Sequence, residues 1–401
     1  MRTIVLHRRF WWSGPFLLTA VIWLISLGAN SMEPEGIRSG SAIFYPFAAV
    51  ALGFDDNVLT QPSNRKESAF TLLTAGVDVL LAQEESKDII QLTAEVESGI
   101  YASSSSDDYT DSDLVLDYIL QPNDKSRLSA SARIQQLHDP RSPATLATRP
   151  SLDVYSDTGF EGEWYYGIND WEGADSSLTI NSTDRSYKSN RSINRTKNHQ
   201  STFLSGLLRF PLAPNMRLRL SVRVIDLNYD IENSRDSNQL RIRSGVDWQM
   251  SEITLLSAEV GFQEKNFDQS IIEDHSDLSW EAKLTWAPEK FNIVEITTNQ
   301  DFSESINEAS YVSFSRLNLD WIYNWDDFIR ATTSVGTLKE TSETVAGSSV
   351  DDINYTALAI EYDLQKSIQM TALISNTHNS SDILGNSSDK LVISIGLTAA
   401  F

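Results

Sequence analysis

The sequence predicts an all-β fold: a transmembrane antiparallel up-and-down β-barrel of about 18 strands, with 16 the other count the pattern allows, preceded by a signal peptide. Three observations lead there. Apolar and polar residues alternate with period two up to Phe401, an arrangement that separates the two faces of a strand and would mix them on a helix. The connections between alternating stretches are short and long by turns. Aromatic residues gather where strands enter the short connections. Membrane barrels show the last two features together, and a soluble sandwich has no reason to.

The N-terminus reads as an address. Arg2, Arg8 and Arg9 precede a largely apolar run from Phe10 to Leu27, followed by the small residues Gly28, Ala29, Asn30 and Ser31. That order of charge, apolar core and small residues is a secretory signal. Cleavage is expected after Ser31, with Ala29 the rival; a retained membrane anchor is the alternative. Residues 1–31 are therefore the expected signal, 32–43 a short periplasmic lead-in and 44–401 the barrel. With only about 12 residues before Phe44, no plug of the kind found in 22-stranded transporters is expected. After residue 30 no apolar run approaches the ~20 residues of a membrane helix. A membrane-embedded mature chain must cross as strands.

Met216 to Val224 shows the alternation most clearly. Met216, Leu218, Leu220, Val222 and Val224 fall on one face, and Arg217, Arg219, Ser221 and Arg223 on the other. Leu240, Ile242, Val246, Trp248 and Met250 likewise oppose Arg241, Arg243, Asp247 and Gln249. The same split recurs around Ile90–Ile100, Leu128–Ile134 and Leu278–Trp286. Strands are expected at 44–56, 69–82, 88–101, 109–120, 126–138, 153–166, 172–182, 200–210, 216–230, 238–250, 253–264, 277–286, 291–302, 309–323, 327–338, 351–363, 368–376 and 390–401. The least regular stretches, 153–182 and 291–323, leave 16 open.

Short links such as Pro211–Asn215, Ser251-Glu252 and Leu364–Ser367 then alternate with longer links rich in Ser, Asn and Asp. The longer set includes Asn57–Ser68, Asp139–Leu152, Thr183–His199, Lys265–Ser276, Lys339–Val350 and Thr377–Asp389. An even strand count puts both chain ends on the short-turn, periplasmic side. Tyr118, Tyr165, Tyr166, Phe210, Trp248, Trp286, Tyr323, Tyr362 and Phe401 close strands at the short links, where amphipathic rings suit a lipid–water boundary. In the final strand, Leu391, Ile393, Ile395, Leu397, Ala399 and Phe401 share one face. This reads as a lipid-facing closing strand and as the signal for barrel-insertion machinery, since an open edge is untenable in hydrocarbon.

Composition narrows the chemistry. A net charge of −23 argues against nucleic acid, which needs a Lys/Arg face. The absence of Cys excludes disulfides and thiolate metal sites. His138, His199, His275 and His378 have no spacing that marks a nucleophile, and read as solvated residues of outer loops. Asp55, Asp56 and Asn57, or Asp107, Asp108 and Asp111, have the oxygens a hard cation needs, but turn capping is the better account. No cofactor, metal or catalytic residue is expected. Arg217, Arg219, Arg223, Arg241 and Arg243 share the lumenal face of two neighbouring strands, either as a stripe for anionic solutes or in a salt lattice with Glu95, Glu97, Asp247, Glu259 and Glu281, the arrangement favoured here.

Gly53-Phe54-Asp55-Asp56-Asn57-Val58 resembles the opening motif of β-barrel porins found in exopolysaccharide and capsule gene clusters. Ser68 to Gly76 and the Ser-rich Tyr101–Asp111 hairpin are similar to the strands that follow it there. The motif resemblance covers residues 44–120, and the rest only by length and alternation. It implies an outer-membrane channel of a Gram-negative bacterium that passes a secreted polysaccharide; it carries no catalytic residues. The alternatives are a general diffusion porin, and a structural barrel or outer-membrane enzyme. Expected partners are outer-membrane lipid and lipopolysaccharide, the insertion machinery and a periplasmic polysaccharide-export partner. The motif itself is read as structural, ending the first strand.

Overall fold

The computed structural model describes residues 34–82, 88–141, 151–167, 171, 173–304, 309–344 and 347–401. The expected signal and its cleavage site lie outside the described residues. Lipid outside and water inside force each strand to keep one apolar and one polar face, and the wall follows that rule. It is one closed antiparallel sheet of 18 strands: β2 (Ala42–Asp55), β3 (Ser68–Ala82), β4 (Ile89–Tyr101), β5 (Tyr109–Asn123), β6 (Ser126–His138), β7 (Val154–Gly167), β8 (Asp175–Tyr187), β9 (His199–Ala213), β10 (Met216–Tyr229), β11 (Ser237–Ser251), β12 (Thr254–Phe267), β13 (His275–Glu289), β14 (Asn292–Ser303), β15 (Tyr311–Asn324), β16 (Ile329–Thr344), β17 (Gly347–Gln365), β18 (Ile368–Ser381) and β19 (Ser388–Ala400). Each pairs with the next, and β19 closes on β2 from Val392↔Asp55 to Ala400↔Phe47. The two irregular stretches hold two strands each, so the count is 18 and not 16.

The outer surface carries Leu52, Val96, Ile134, Phe160, Val222, Val260, Leu278, Val335, Ile395 and their strand-mates as exposed apolar groups, while Thr93, Arg217, Arg243, Asp247, Glu259, Ser279 and Gln369 on the opposite face are buried. Rings collect at the short-turn rim: Tyr118, Tyr166, Phe210, Trp286, Tyr362 and Phe401 are all exposed there. Phe291, Trp321, Tyr323 and Trp325 join them as a contiguous cluster. Tyr165 departs from the expected girdle. Its phenol ring lies beneath the Arg127 guanidinium, because alternation turns it away from its exposed neighbours Trp164 and Tyr166.

A short strand absent from the expected set, β1 (Ile37–Ser39), pairs with Ala42–Phe44 of β2. The other edge of β2 is fully paired to β3, so β1 covers the part of the β2 edge that lies beyond its pairing with β19. Phe401 N donates to Pro46 O at 3.0 Å beside it. Uncovered edges invite pairing with other chains.

Four of the six expected long loops, those after β8, β12, β16 and β18, are shorter than the sequence implies. β16 and β17 meet as a hairpin with Thr344 opposite Gly347, where a loop from Lys339 to Val350 is expected. β8, β12, β13 and β18 likewise run on into predicted loops. Ser, Thr, Asn and Asp mark the point where water replaces lipid, but a solvated ladder continues past it. Gly53 and Gly99 let neighbouring rings lie flat on the inner wall. A Cβ at Gly53 would sit 2.2 Å from Phe70 Cζ, and one at Gly99 2.2 Å from Tyr109 Cε1.

Candidate permeation lumen

β8 to β12 present a continuous ion-pair chain on the inner face. Asp175 of β8 takes Arg209 Nε at 2.7 Å and Arg217 Nη1 at 3.1 Å. Arg217 continues to Asp247 at 3.4 Å, Asp247 to Arg219 at 3.0 Å, and Arg219 to Glu259 at 3.3 Å. A second knot joins Arg243 to Glu281 at 3.1 Å and to Asp301 at 3.5 Å, with Arg241 also on Asp301. Arg223 lies over the Phe203 ring at 4.6 Å. Closely spaced guanidiniums on two adjacent strands would repel in a confined lumen, and carboxylates threaded between them offset both repulsion and desolvation.

Arg217, Arg219, Arg241 and Arg243 are therefore organised as a salt lattice and not as a bare cationic stripe. Asp247, Glu259 and Glu281 stand where that expectation puts them. Glu95 and Glu97 do not. They lie on β4, six strands from β10, with Glu97 accepting from Tyr109 Oη at 2.8 Å and Thr74 Oγ1 at 3.4 Å. Glu95 stands opposite Gly76 and Asp113. Asp175, Asp301 and Arg209 are lattice members the sequence reading missed. Both acids fall in the least regular stretches, yet inward parity was legible for Asp301 from Glu295, Thr297 and Asn299.

Residues 30–401 match a family model described as "Putative beta-barrel porin 2". The chain belongs to this porin family. No curated protein matches it. Among solved structures it is similar to Acinetobacter baumannii OccAB3, at 10% identity over 90% of this porin and 100% of OccAB3, with a TM-score of 0.50. The FrpB iron transporter of Neisseria meningitidis (F3-3 variant) matches at 10% identity over 86% of the porin and 63% of FrpB, with a TM-score of 0.49. For the copper transporter OprC the figures are 10%, 88%, 64% and 0.45. The porin spans less than two thirds of the length of OprC and FrpB. The likeness to OccAB3 shows the barrel fold alone.

The porin's Gly53–Asn57 motif ends β2 and also stitches the barrel seam. Asp55 Oδ2 pairs with Lys390 Nζ of β19 at 2.7 Å. Asp56 N donates to Leu391 O and Asp56 Oδ1 accepts from Leu391 N. Asn57 Nδ2 donates to Asp389 O at 2.7 Å and to Gln61 O at 2.8 Å. Phe54 faces outward, exposed. At the other end of the seam, Ile393, Ile395, Leu397 and Phe401 are exposed on the outer face.

Of the four histidines among the described residues, three are packed against rings instead of being solvated. His138 lies on Tyr109 and bonds Asp111 at 3.0 Å. His199 lies on Tyr229 and His275 on Phe302 and Tyr311. His378, half-exposed, bonds Asp389. Asp107 is occupied by Arg141 Nε at 2.5 Å and by Ser104 Oγ, so the Ser-rich hairpin uses its acid to hold Arg141, just beyond the end of β6. Among the described residues no group of His, Asp or Glu is arranged to hold a metal ion.

Two acids outside the strands tie the long-loop rim together. Asp139 accepts from Tyr187 Oη at 2.9 Å, and its burial raises the carboxyl above the usual range. Glu304 accepts from Tyr229 Oη at 2.6 Å and Lys265 Nζ at 2.7 Å. Burial works against its ionisation, but Lys265 and Arg235 outweigh that and hold its carboxyl low.

Proposed function

We propose that this porin is an outer-membrane conduit of a Gram-negative bacterium through which an extracellular or capsular polysaccharide leaves the cell. The observation that carries the reading is the lumen wall. Eighteen strands enclose an aqueous passage, and the facing cations of β9 to β11 are tied to carboxylates across strands. A polyhydroxylated chain would meet exchangeable hydrogen bonds rather than a row of bare charges that would hold it. Binding weak enough to release is what conduction needs. Movement is passive: the polymer is pushed from the short-turn side, taken as periplasmic, by a polysaccharide-export partner. The acidic long-loop rim lies among lipopolysaccharide, and the insertion machinery reads β19.

Deletion of the gene tests this. Loss of surface polysaccharide while the polymer still accumulates inside the cell, restored by the wild-type gene, is expected. Unchanged surface polysaccharide overturns the reading. With that outcome, a steadily open conductance for small sugars in single-channel recordings identifies a diffusion porin.

A further inference from the structure

Among the described residues the longest split in the wall lies between β13 and β14. β13 pairs with β14 from Glu289↔Asn292 up to Trp280↔Gln300, and among the described residues no pairing joins the two strands beyond that point. Both strands continue. His275–Ser279 stay paired to β12, and Asp301–Ser303 to β15. The split starts six residues above the Trp286 girdle position, roughly 15 Å at ~3.4 Å per residue on a tilted strand. The apolar band of such barrels is about 25 Å tall, so the split opens inside it.

In hydrocarbon an interrupted ladder leaves backbone groups without partners. Here they are provided for. Continuing the register sets Leu278 opposite Phe302. Leu278 N is bonded by Asp277 Oδ1 at 2.7 Å and Phe302 N by Asp301 Oδ1 at 3.0 Å. The Gln300 carbonyl accepts from Ser279 Oγ and Arg243 Nη2, each at 3.1 Å. Gln300 Nε2 reaches Asp277 Oδ2 at 2.5 Å. Above, the rings of His275, Phe302 and Tyr311 fill the space. Side chains that move by rotamer change have replaced a ladder that does not.

The two sides of the split differ. Arg241 and Arg243 meet at Asp301 on the lumenal side. Leu278 and its cross-strand neighbour Phe262 are exposed on the outer side. A molecule lying across it would keep an anionic group inside and hydrocarbon outside. We infer that the β13–β14 seam is a lateral portal between lumen and membrane, fitted to a lipid with an anionic head group. The inference is independent of what passes along the lumen.

Two measurements on the full barrel in nanodiscs test it. In the wild type, the Leu278 and Phe302 amides should exchange at least tenfold faster than Ile395 in the β19 wall; equal protection means a sealed seam and overturns the proposal. A photo-crosslinking benzoyl-phenylalanine at the lumenal Glu281 should capture phosphatidylglycerol from the bilayer several-fold more than the same residue at Asp117 on the inner face of β5. No excess over Asp117 overturns the portal. Equal capture from phosphatidylcholine nanodiscs overturns the head-group assignment.

Discussion

Lys390 Nζ lies 2.7 Å from Asp55 Oδ2, both buried, and this ion pair fastens the last strand of the barrel to the first. Removing one partner leaves the other as an uncompensated buried charge, a loss of about 3–5 kcal/mol. Lys390→Met should therefore lower the temperature at which the folded band is lost in heat-modifiable gel mobility. Asp55→Leu combined with Lys390→Met should recover much of that loss. If the double variant is as unstable as the single, the pair does not act as a closed unit.

The ion-pair chain through β8 to β12 predicts a signed change in selectivity. Arg217→Ala with Arg219→Ala removes both close arginines of Asp247 and the Arg219 partner of Glu259, while Asp175 keeps Arg209. Cation selectivity should rise, read as a shifted reversal potential across a KCl gradient in a planar bilayer. An unchanged reversal potential means that the conducting path avoids this wall.

Acid should loosen the long-loop rim at Glu304. Its carboxyl is held below the ordinary value in the folded protein, so the stability it supplies is fully present above the unfolded value of about 4.3 and fades as pH falls through the lower folded value. Hydrogen exchange in Tyr229–Arg235 should increase below about pH 4 on that basis. Glu304→Gln should show the faster exchange already at neutral pH, with little further response to acid.

The terminal ring should matter for assembly. Phe401 is exposed on the outer face at the short-turn rim, and its amide bonds Pro46 O. Deleting Phe401 removes about 2 kcal/mol of apolar contact and the end of the closing strand. The yield of folded barrel in outer-membrane fractions should fall several-fold, while Phe401→Trp retains it.

The strands were legible because two solvents enforce a strict alternation, as Met216 to Val224 shows. The long-loop ends of β16 and β17 were not, because water wets both faces there and the ladder needs no apolar side. Lattice membership was legible for Asp247, which sits beside Arg217 on the paired strand. It was not legible for Asp175, which reaches Arg217 from two strands away. Such partners depend on strand stagger around the whole barrel, a property no local pattern carries. The β13–β14 split gives only a faint sign, an Asp before an apolar residue at Asp277-Leu278 and at Asp301-Phe302.

The small strand β1 and the carboxyl end lie against the same stretch of β2. A short peptide linker from Phe401 to the residues just before β1 could therefore be built without redrawing any strand neighbour. New ends could then be cut into a tip such as Asp382–Ser387, giving a circularly permuted polypeptide with the same cylinder. Strand order along the gene is thus a matter of synthesis and insertion, while the finished ring of contacts has no beginning.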